Sequence, residues 1–236
     1  MTQIGSATWT KIATGGEHSF AIKTDGTLWA WGQNTNGKLG LNDTTARSSP
    51  VQVNAGKSYV MVTTTTNHTM AIDTTDKLWG WGLNTTNGQL GDNTTFTKSS
   101  PVQIGTDSWK TVAVGRQHTI GIKTNGTLWV WGRNSENQLG DGTAVSKSSP
   151  IQIGSDTDWN IVSAGGAKSF AVKSNGALYG AGTTIPATPL PGAFNSVSRP
   201  VQAPGTDWSS IQNNSITINS SLNSPMPAIK SNGIVS

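Results

Sequence analysis

The chain of 236 residues contains no cysteine, so disulfides, thiolate nucleophiles and Cys-based zinc or iron–sulfur sites are excluded together, and stability has to come from packing. Charge is scarce as well. Asp, Glu, Lys and Arg make up 12% of the residues, with Lys+Arg at 16 against Asp+Glu at 12 for a net charge of +4. The basic residues fall singly, many with acidic residues between them, and no Lys/Arg run exists that would release many counterions from a phosphate backbone. Nucleic acid is therefore not an expected partner, despite a pI near 9.4. Long apolar runs are missing too: hydrophobic residues are 33% of the chain, and no stretch approaches the roughly 20 residues that a bilayer crossing needs. No membrane insertion is expected. Residues 1–11 show neither a basic region nor an apolar segment of the kind that marks a cleaved secretory signal.

The chain is rich instead in Thr, Ser and Asn, at 33, 26 and 19 copies, and in Gly at 28. Such a composition suits many short strands joined by tight turns.

A repeat dominates the sequence. Trp9, Tyr59, Trp109, Trp159 and Trp208 stand 50, 50, 50 and 49 residues apart, and each opens the same phrase. An Asn-rich loop follows each of the first three phrases and ends in Leu39-Gly40, Leu90-Gly91 or Leu139-Gly140; a Ser-rich stretch then leads to Pro50, Pro101, Pro150 and, in the fourth unit, Pro200. Within a unit, Ser19 to Lys23 and Thr27 to Trp31 alternate in side-chain direction around Thr24-Asp25-Gly26, with Asn125-Gly126 and Asn175-Gly176 at the later turns. Asp-Gly and Asn-Gly accept the positive φ of tight hairpin turns. A strand over Lys11 to Thr14 precedes the hairpin, and another is expected after each proline, because proline is confined to a strand's start or edge. Four short strands per 50 residues make one blade of a β-propeller.

Alternation also assigns faces. Leu28 and Ala30 share one side of the third strand, whereas Trp29 and Trp31, with Trp79, Trp81, Trp129 and Trp131, share the other. These six tryptophans are expected to be inter-blade core. The three histidines, His18, His68 and His118, occupy one position in successive blades, with Lys168 in the fourth. That repetition predicts a structural hydrogen bond within each blade rather than a catalytic or metal site.

The units resemble the repeat of the regulator of chromosome condensation family. W-G-x-N occurs at Trp31-Gly32-Gln33-Asn34, Trp81-Gly82-Leu83-Asn84 and Trp131-Gly132-Arg133-Asn134, and Q-L-G at Gln89-Leu90-Gly91 and Gln138-Leu139-Gly140, with Lys38 replacing Gln in the first unit. The resemblance implies an all-β propeller of four-stranded blades, commonly seven in a ring, with binding surfaces on its faces and rim. It implies no single activity, since similar repeats serve nucleotide exchange on a small GTPase with chromatin binding, ubiquitin ligation and inhibition of a β-lactamase. The units starting at Trp9, Tyr59, Trp109 and Trp159 define a repeat region over 1–180. In the fourth, Tyr179-Gly180-Ala181-Gly182 replaces W-x-W-G, and a Pro-rich stretch through Pro186, Pro189 and Pro191 replaces the Asn-rich loop. Residues 181–236 read as a divergent part with a degenerate fifth unit, a cap or assembly region. With about four to five blades the propeller is expected to be incomplete or atypically closed: an open arc, a tight five-bladed ring, or a ring or fibre completed by other copies.

No chemistry-bearing constellation stands out. Asp73 and Asp76 flank a hairpin turn, Asp156 and Asp158 lie in a loop, and neither pair has the apolar setting that would split two pKa values. Gly15-Gly16 and Gly165-Gly166 lack the following helix and Lys-Ser/Thr of a phosphate loop. The expectation is a non-catalytic binding or assembly module without cofactor, presenting the loops Gln33 to Ser48, Leu83 to Lys98 and Arg133 to Ser148 to a protein partner or to further copies. The Thr/Asn-rich, weakly charged surface suggests a phage virion surface or fibre, with virion or cytoplasm as the location. A secreted lectin-like or inhibitor propeller that takes carbohydrate or protein is the alternative reading. Nucleotide exchange on a small GTPase coupled to chromatin binding would need a basic face or tail for DNA and a full ring with a specialised loop for the GTPase, and the sequence displays neither.

Overall fold

A computed structural model of the chain describes residues 4–183, 197–202, 208–211 and 228–230. The first blade consists of β1 (Trp9–Thr14), β2 (His18–Lys23), β3 (Leu28–Gly32) and β4 (Arg47–Gln52); the second of β5 (Tyr59–Thr64), β6 (His68–Asp73), β7 (Leu78–Gly82) and β8 (Lys98–Gln103). The third holds β9 (Trp109–Val114), β10 (His118–Lys123), β11 (Leu128–Gly132) and β12 (Lys147–Ile153); the fourth β13 (Trp159–Gly165), β14 (Lys168–Lys173), β15 (Leu178–Gly182) and β16 (Val197–Gln202). Each is an antiparallel sheet in sequence order, and β17 (Trp208–Ile211) pairs with β18 (Ala228–Lys230) in a fifth, two-stranded unit. The first strands of successive blades pack side by side, β1 on β5, β5 on β9 and β9 on β13, and among the described residues the arc is unclosed. The Pro-rich stretch at 186–191 and the segment from Gln212 to Pro227 lie outside the described residues, as does most of the divergent part.

Three hydrophobic clusters fill the three seams between full blades. In the first, Phe20, Ile22, Leu28, Ala30, Leu39 and Val53 of blade one meet Tyr59, Val62, Ala71 and Trp81 of blade two. The second joins Met70, Ile72, Leu78, Leu90 and Ile104 to Trp109, Val112, Val114 and Trp131. The third joins Ile120, Ile122, Leu128, Val130 and Leu139 to Trp159, Val162, Ala164 and Ala171. Blades two and three thus each have a trailing face that meets the next blade and a leading face that meets the one before. Both faces of a blade are apolar because both are covered, which is why the alternation in the third strand separates Leu from Trp rather than apolar from polar.

The fourth strand begins earlier than expected. β4 starts at Arg47, three residues before Pro50, and the register slips between Ala30 and Gly32, so that Ser48 to Pro50 form an irregularity opposite Trp31. The same slip recurs in the other blades. The strand tolerates proline because a bulge on an outer strand leaves that residue without a ladder bond to donate.

Candidate interaction face

The loops joining third and fourth strands are built on one plan. Asn34, Asn84 and Asn134 are buried, and the Oδ1 of each accepts the N–H of the Leu five or six residues on, Leu39, Leu90 and Leu139, at 2.9, 2.9 and 3.0 Å. Each Nδ2 donates to an aspartate Oδ1 further along the loop, that of Asp43, Asp92 or Asp141, at 2.9, 3.0 and 2.9 Å. Those aspartates in turn accept the backbone N–H of Thr45, Thr94 and Thr143 and pair with Arg47, Lys98 and Lys147 at the start of the fourth strand. The N–H of Thr45 and the Arg47 guanidinium hold the Asp43 carboxyl below the usual carboxylate range. Burial would raise Asp141, but hydrogen bonds from Thr143 and Asn134 outweigh it. The frame is also tied across seams, since Asn42 N–H donates to Ser99 O and Asn93 N–H to Ser148 O, both at 2.8 Å.

On these frames the tips differ. Phe96 is 72% exposed and Val145 62% exposed, each four residues after its blade's aspartate, whereas the first blade's shorter loop runs directly from Ala46 to Arg47. Lys98 Nζ stands 5.9 Å from the Phe96 ring centroid. The sequence reading named the loop ranges but not these residues; an apolar side chain inside a Thr- and Ser-rich loop is the signal that marks them.

The sequence-predicted residues lie in the seams and at their margins. Trp81 and Trp131 are fully buried, and Trp81 Nε1 donates to Lys38 O of the preceding blade at 2.9 Å. Trp29, Trp79 and Trp129 are half-buried. Lys23 and Lys123 lie over the rings of Trp29 and Trp129, 3.6 and 3.3 Å from their centroids; in blade two Asp73 takes the Lys position and accepts from Trp79 Nε1 at 2.9 Å. Trp31 is half-exposed.

The histidine rings do not make their hydrogen bonds within their own blades. His18 Nε2 lies 2.8 Å from Thr64 Oγ1, His68 Nε2 3.1 Å from Thr119 Oγ1, and His118 Nε2 3.2 Å from Lys168 O, so each reaches into the next blade. The reason is steric and topological. The second strand opens at the seam, and the preceding turn approaches so closely that a Cβ on Gly115 would stand 2.0 Å from His118 Cε1. Burial lowers the pKa of His18 to about 3, of His68 to about 3 and of His118 to about 4, so the rings are neutral. Lys38, where the repeat otherwise has Gln, is buried, donates from Nζ to Thr66 O at 3.2 Å and has its pKa lowered by that burial. Among the described residues no group of three or more His, Asp or Glu is placed to hold a metal, and no helix is long and apolar enough to cross a membrane.

Solved propellers share this architecture. Human WBSCR16 superposes with a TM-score of 0.76 at 22% identity over 88% of the chain and 56% of its own, and Prp20p from Saccharomyces cerevisiae with 0.72 at 22% identity over 86% and 52%. A human relative, described as the probable E3 ubiquitin-protein ligase HERC3, is 46% identical over 43 residues, 18% of this chain and 4% of that protein. The chain therefore spans about half the length of the solved propellers and a small part of HERC3. The regulator of chromosome condensation (RCC1) repeat matches residues 25–72, 75–122 and 125–172, windows that run from the hairpin turn of one blade to the second strand of the next, and a second model of the same repeat matches 9–38 and 109–138. With three consecutive matches over more than half its residues, the chain belongs to the RCC1 repeat family.

Proposed function

We propose that the protein is a non-catalytic binding module that recognises a protein partner through the loops between its third and fourth strands. The observation that carries this reading is the contrast between rigid loop frames repeated in three blades and exposed tips that differ, with Phe96 and Val145 presented to solvent on adjacent blades. Interfaces draw on exposed aromatic and aliphatic anchors held by a preorganised scaffold. The Prp20p structure is described together with binding of that protein to Gsp1p and histones, which supports a protein as the class of partner. The polar, weakly charged repeat surface supports a virion surface or fibre as the setting.

The test is a photo-cross-linking residue placed at position 96 and, as a control, at position 110 on the inner strand, in extract of the source organism. A discrete protein adduct from position 96 that unlabelled wild-type chain competes away, and a Phe96→Ala/Val145→Ala chain does not, supports the reading. Adducts of equal yield from both positions, or none from position 96, overturn it.

A further inference from the structure

The third seam differs from the first two at one decisive side chain. Trp81 and Trp131 hold the fourth place of β7 and β11, and each packs against the preceding blade: Trp81 with Phe20 and Leu39, its ring 5.8 Å from that of Phe20, and Trp131 with Met70 and Leu90. In β15 that place belongs to Ala181. The receiving wall is kept, since Ile120 and Leu139 of blade three hold the places of Phe20 and Leu39 and of Met70 and Leu90. A methyl group therefore faces a wall that elsewhere receives an indole. Between blades three and four lies a cleft of about 270 Å³, measured to its open mouth, with Ile120, Leu128, Val130 and Leu139 on one side and Ala181 and Pro200 on the other. Ser169 borders it too, with its hydroxyl already donated to Gln138 O at 2.7 Å. The seam has partly closed on the smaller side chain. A Cβ on Gly40 or Gly91 would meet Nε1 of Trp81 or Trp131 at 2.9 or 2.6 Å, whereas on Gly140 it would meet Ala181 Cβ at 3.0 Å and Pro200 Cδ at 3.1 Å. Closure of this kind around a truncated side chain is incomplete, and an apolar gap left behind favours an apolar ligand over water.

We propose that the third seam binds a small planar aromatic molecule of indole size, which widens the cleft and takes the place that Trp81 and Trp131 take in the two seams before it. The internal repeat names the occupant: the same place, on the same kind of wall, holds an indole twice in this chain. The backbone around Ala181 is that of the blades that hold one. The ladder to the fourth strand slips between Gly180 and Gly182 as it does between Gly80 and Gly82 and between Val130 and Gly132, and Pro200 holds the place of Pro101 and Pro150. A proline at that place therefore coexists with an indole in both blades. Burying an aromatic ring is strongly favourable, and part of that gain goes into reopening the seam, which makes the site one that its ligand enlarges. Bound there, the molecule touches strands of both blades and ties blade four to blade three. The proposal rests on the seam and not on the loop tips, so it stands or falls apart from the binding role proposed above.

The experiment uses indole itself as the probe on the full chain, with binding read by saturation-transfer NMR and by the thermal transition over an indole series. The variants are Ala181→Trp, which restores the residue of blades two and three, and Ala181→Leu, which fills part of the cleft. Indole is expected to bind the wild-type chain and to raise its transition midpoint with concentration, as a ligand of the folded state does. In Ala181→Trp the midpoint is expected to stop responding, with binding weakened at least about tenfold. Should Ala181→Trp not fold, the same loss in Ala181→Leu decides. A wild-type chain that neither binds indole nor gains stability from it, or a folded variant at position 181 that responds as the wild type does, overturns the proposal, since indole would then be meeting the exposed tryptophans and not the seam.

Discussion

His68 Nε2 lies 3.1 Å from Thr119 Oγ1, 51 residues along the chain and one blade away, and the same hydroxyl donates to Gln89 O at 2.9 Å. One hydroxyl thus joins a strand start and a loop of blade two to the second strand of blade three. A protonated ring at this position would place a charge in an apolar seam, and burial opposes it.

Acid stability follows from the sign of that shift. The folded-state pKa values of the histidines lie below the ordinary 6.5, at about 3 for His18 and His68 and about 4 for His118. Between about pH 6.5 and 4 the unfolded chain binds more protons than the folded one, so stability falls as pH drops, by up to about 1.4 kcal/mol per pH unit for each histidine. Denaturation midpoints are expected to be flat above about pH 7 and to decline below about 6, with a shallower decline in His68→Gln. A midpoint constant down to about pH 4.5 would contradict the buried neutral assignment.

The tryptophan rows separate by cost. Trp131 is fully buried in the second seam, its ring 5.5 Å from that of Trp109. Trp131→Ala is expected to lose about 3–5 kcal/mol. Trp29 is half-exposed beneath Lys23, and Trp29→Ala is expected to lose about 1–2 kcal/mol, mainly the cation–π contact and the partial burial. Urea titrations of both variants check the order; equal losses would mean that the two rows are equally part of the core.

The 50-residue period and the hairpin turns were legible because each is written in local residue types, Asp-Gly and Asn-Gly at turns and alternation in strands, whereas the alternation alone does not separate the buried Trp81 and Trp131 from the half-buried Trp29, Trp79 and Trp129. What sequence could not supply is anything set by the register between blades. The hydroxyl partners of His18 and His68 sit roughly one period away and are ordinary threonines among many. Ile12 and Val62 are the same kind of residue in the same phrase, and only the position of a blade within the arc makes one exposed and the other buried. The early start of β4 is not written in the sequence, where Pro50 reads as a strand boundary, whereas a bulge accommodates it inside the strand. Within the loops, W-G-x-N was visible as a motif, but the role of its Asn depends on Leu, Asp and Thr groups five to ten residues on.

The hairpin turn at Gly126 is constrained from two sides. Its φ is +82°, and a Cβ there would stand 1.8 Å from Thr157 O in the stretch leading to the next blade. Its own carbonyl accepts the N–H of Trp159 at 3.2 Å. Gly126→Val is therefore expected to cost about 3 kcal/mol or more and to loosen the third seam as well as the turn. Hydrogen exchange should show faster exchange at the Trp159 amide; unchanged protection there would show that the turn and the seam are independent.

Asn134 tests whether the loop frame and the presentation of its tip are one device. Its Oδ1 satisfies the buried Leu139 N–H at 3.0 Å, and its Nδ2 donates at 2.9 Å to both Asp141 Oδ1 and Thr143 O. Leu at this position approximates the volume but leaves the amide and the two oxygens without that partner, at an expected cost of about 2–4 kcal/mol. The lost bonds hold the segment carrying Val145, so Asn134→Leu should raise hydrogen exchange over residues 139–145 before it lowers the global unfolding midpoint. It should also reduce cross-linking from a probe at position 145 under conditions where the blades remain folded, because a tip that samples many positions binds with a larger entropic penalty. Exchange confined to global unfolding would instead mean that Asn134 serves the core and that the tip is held by the Asp141–Lys147 pair alone.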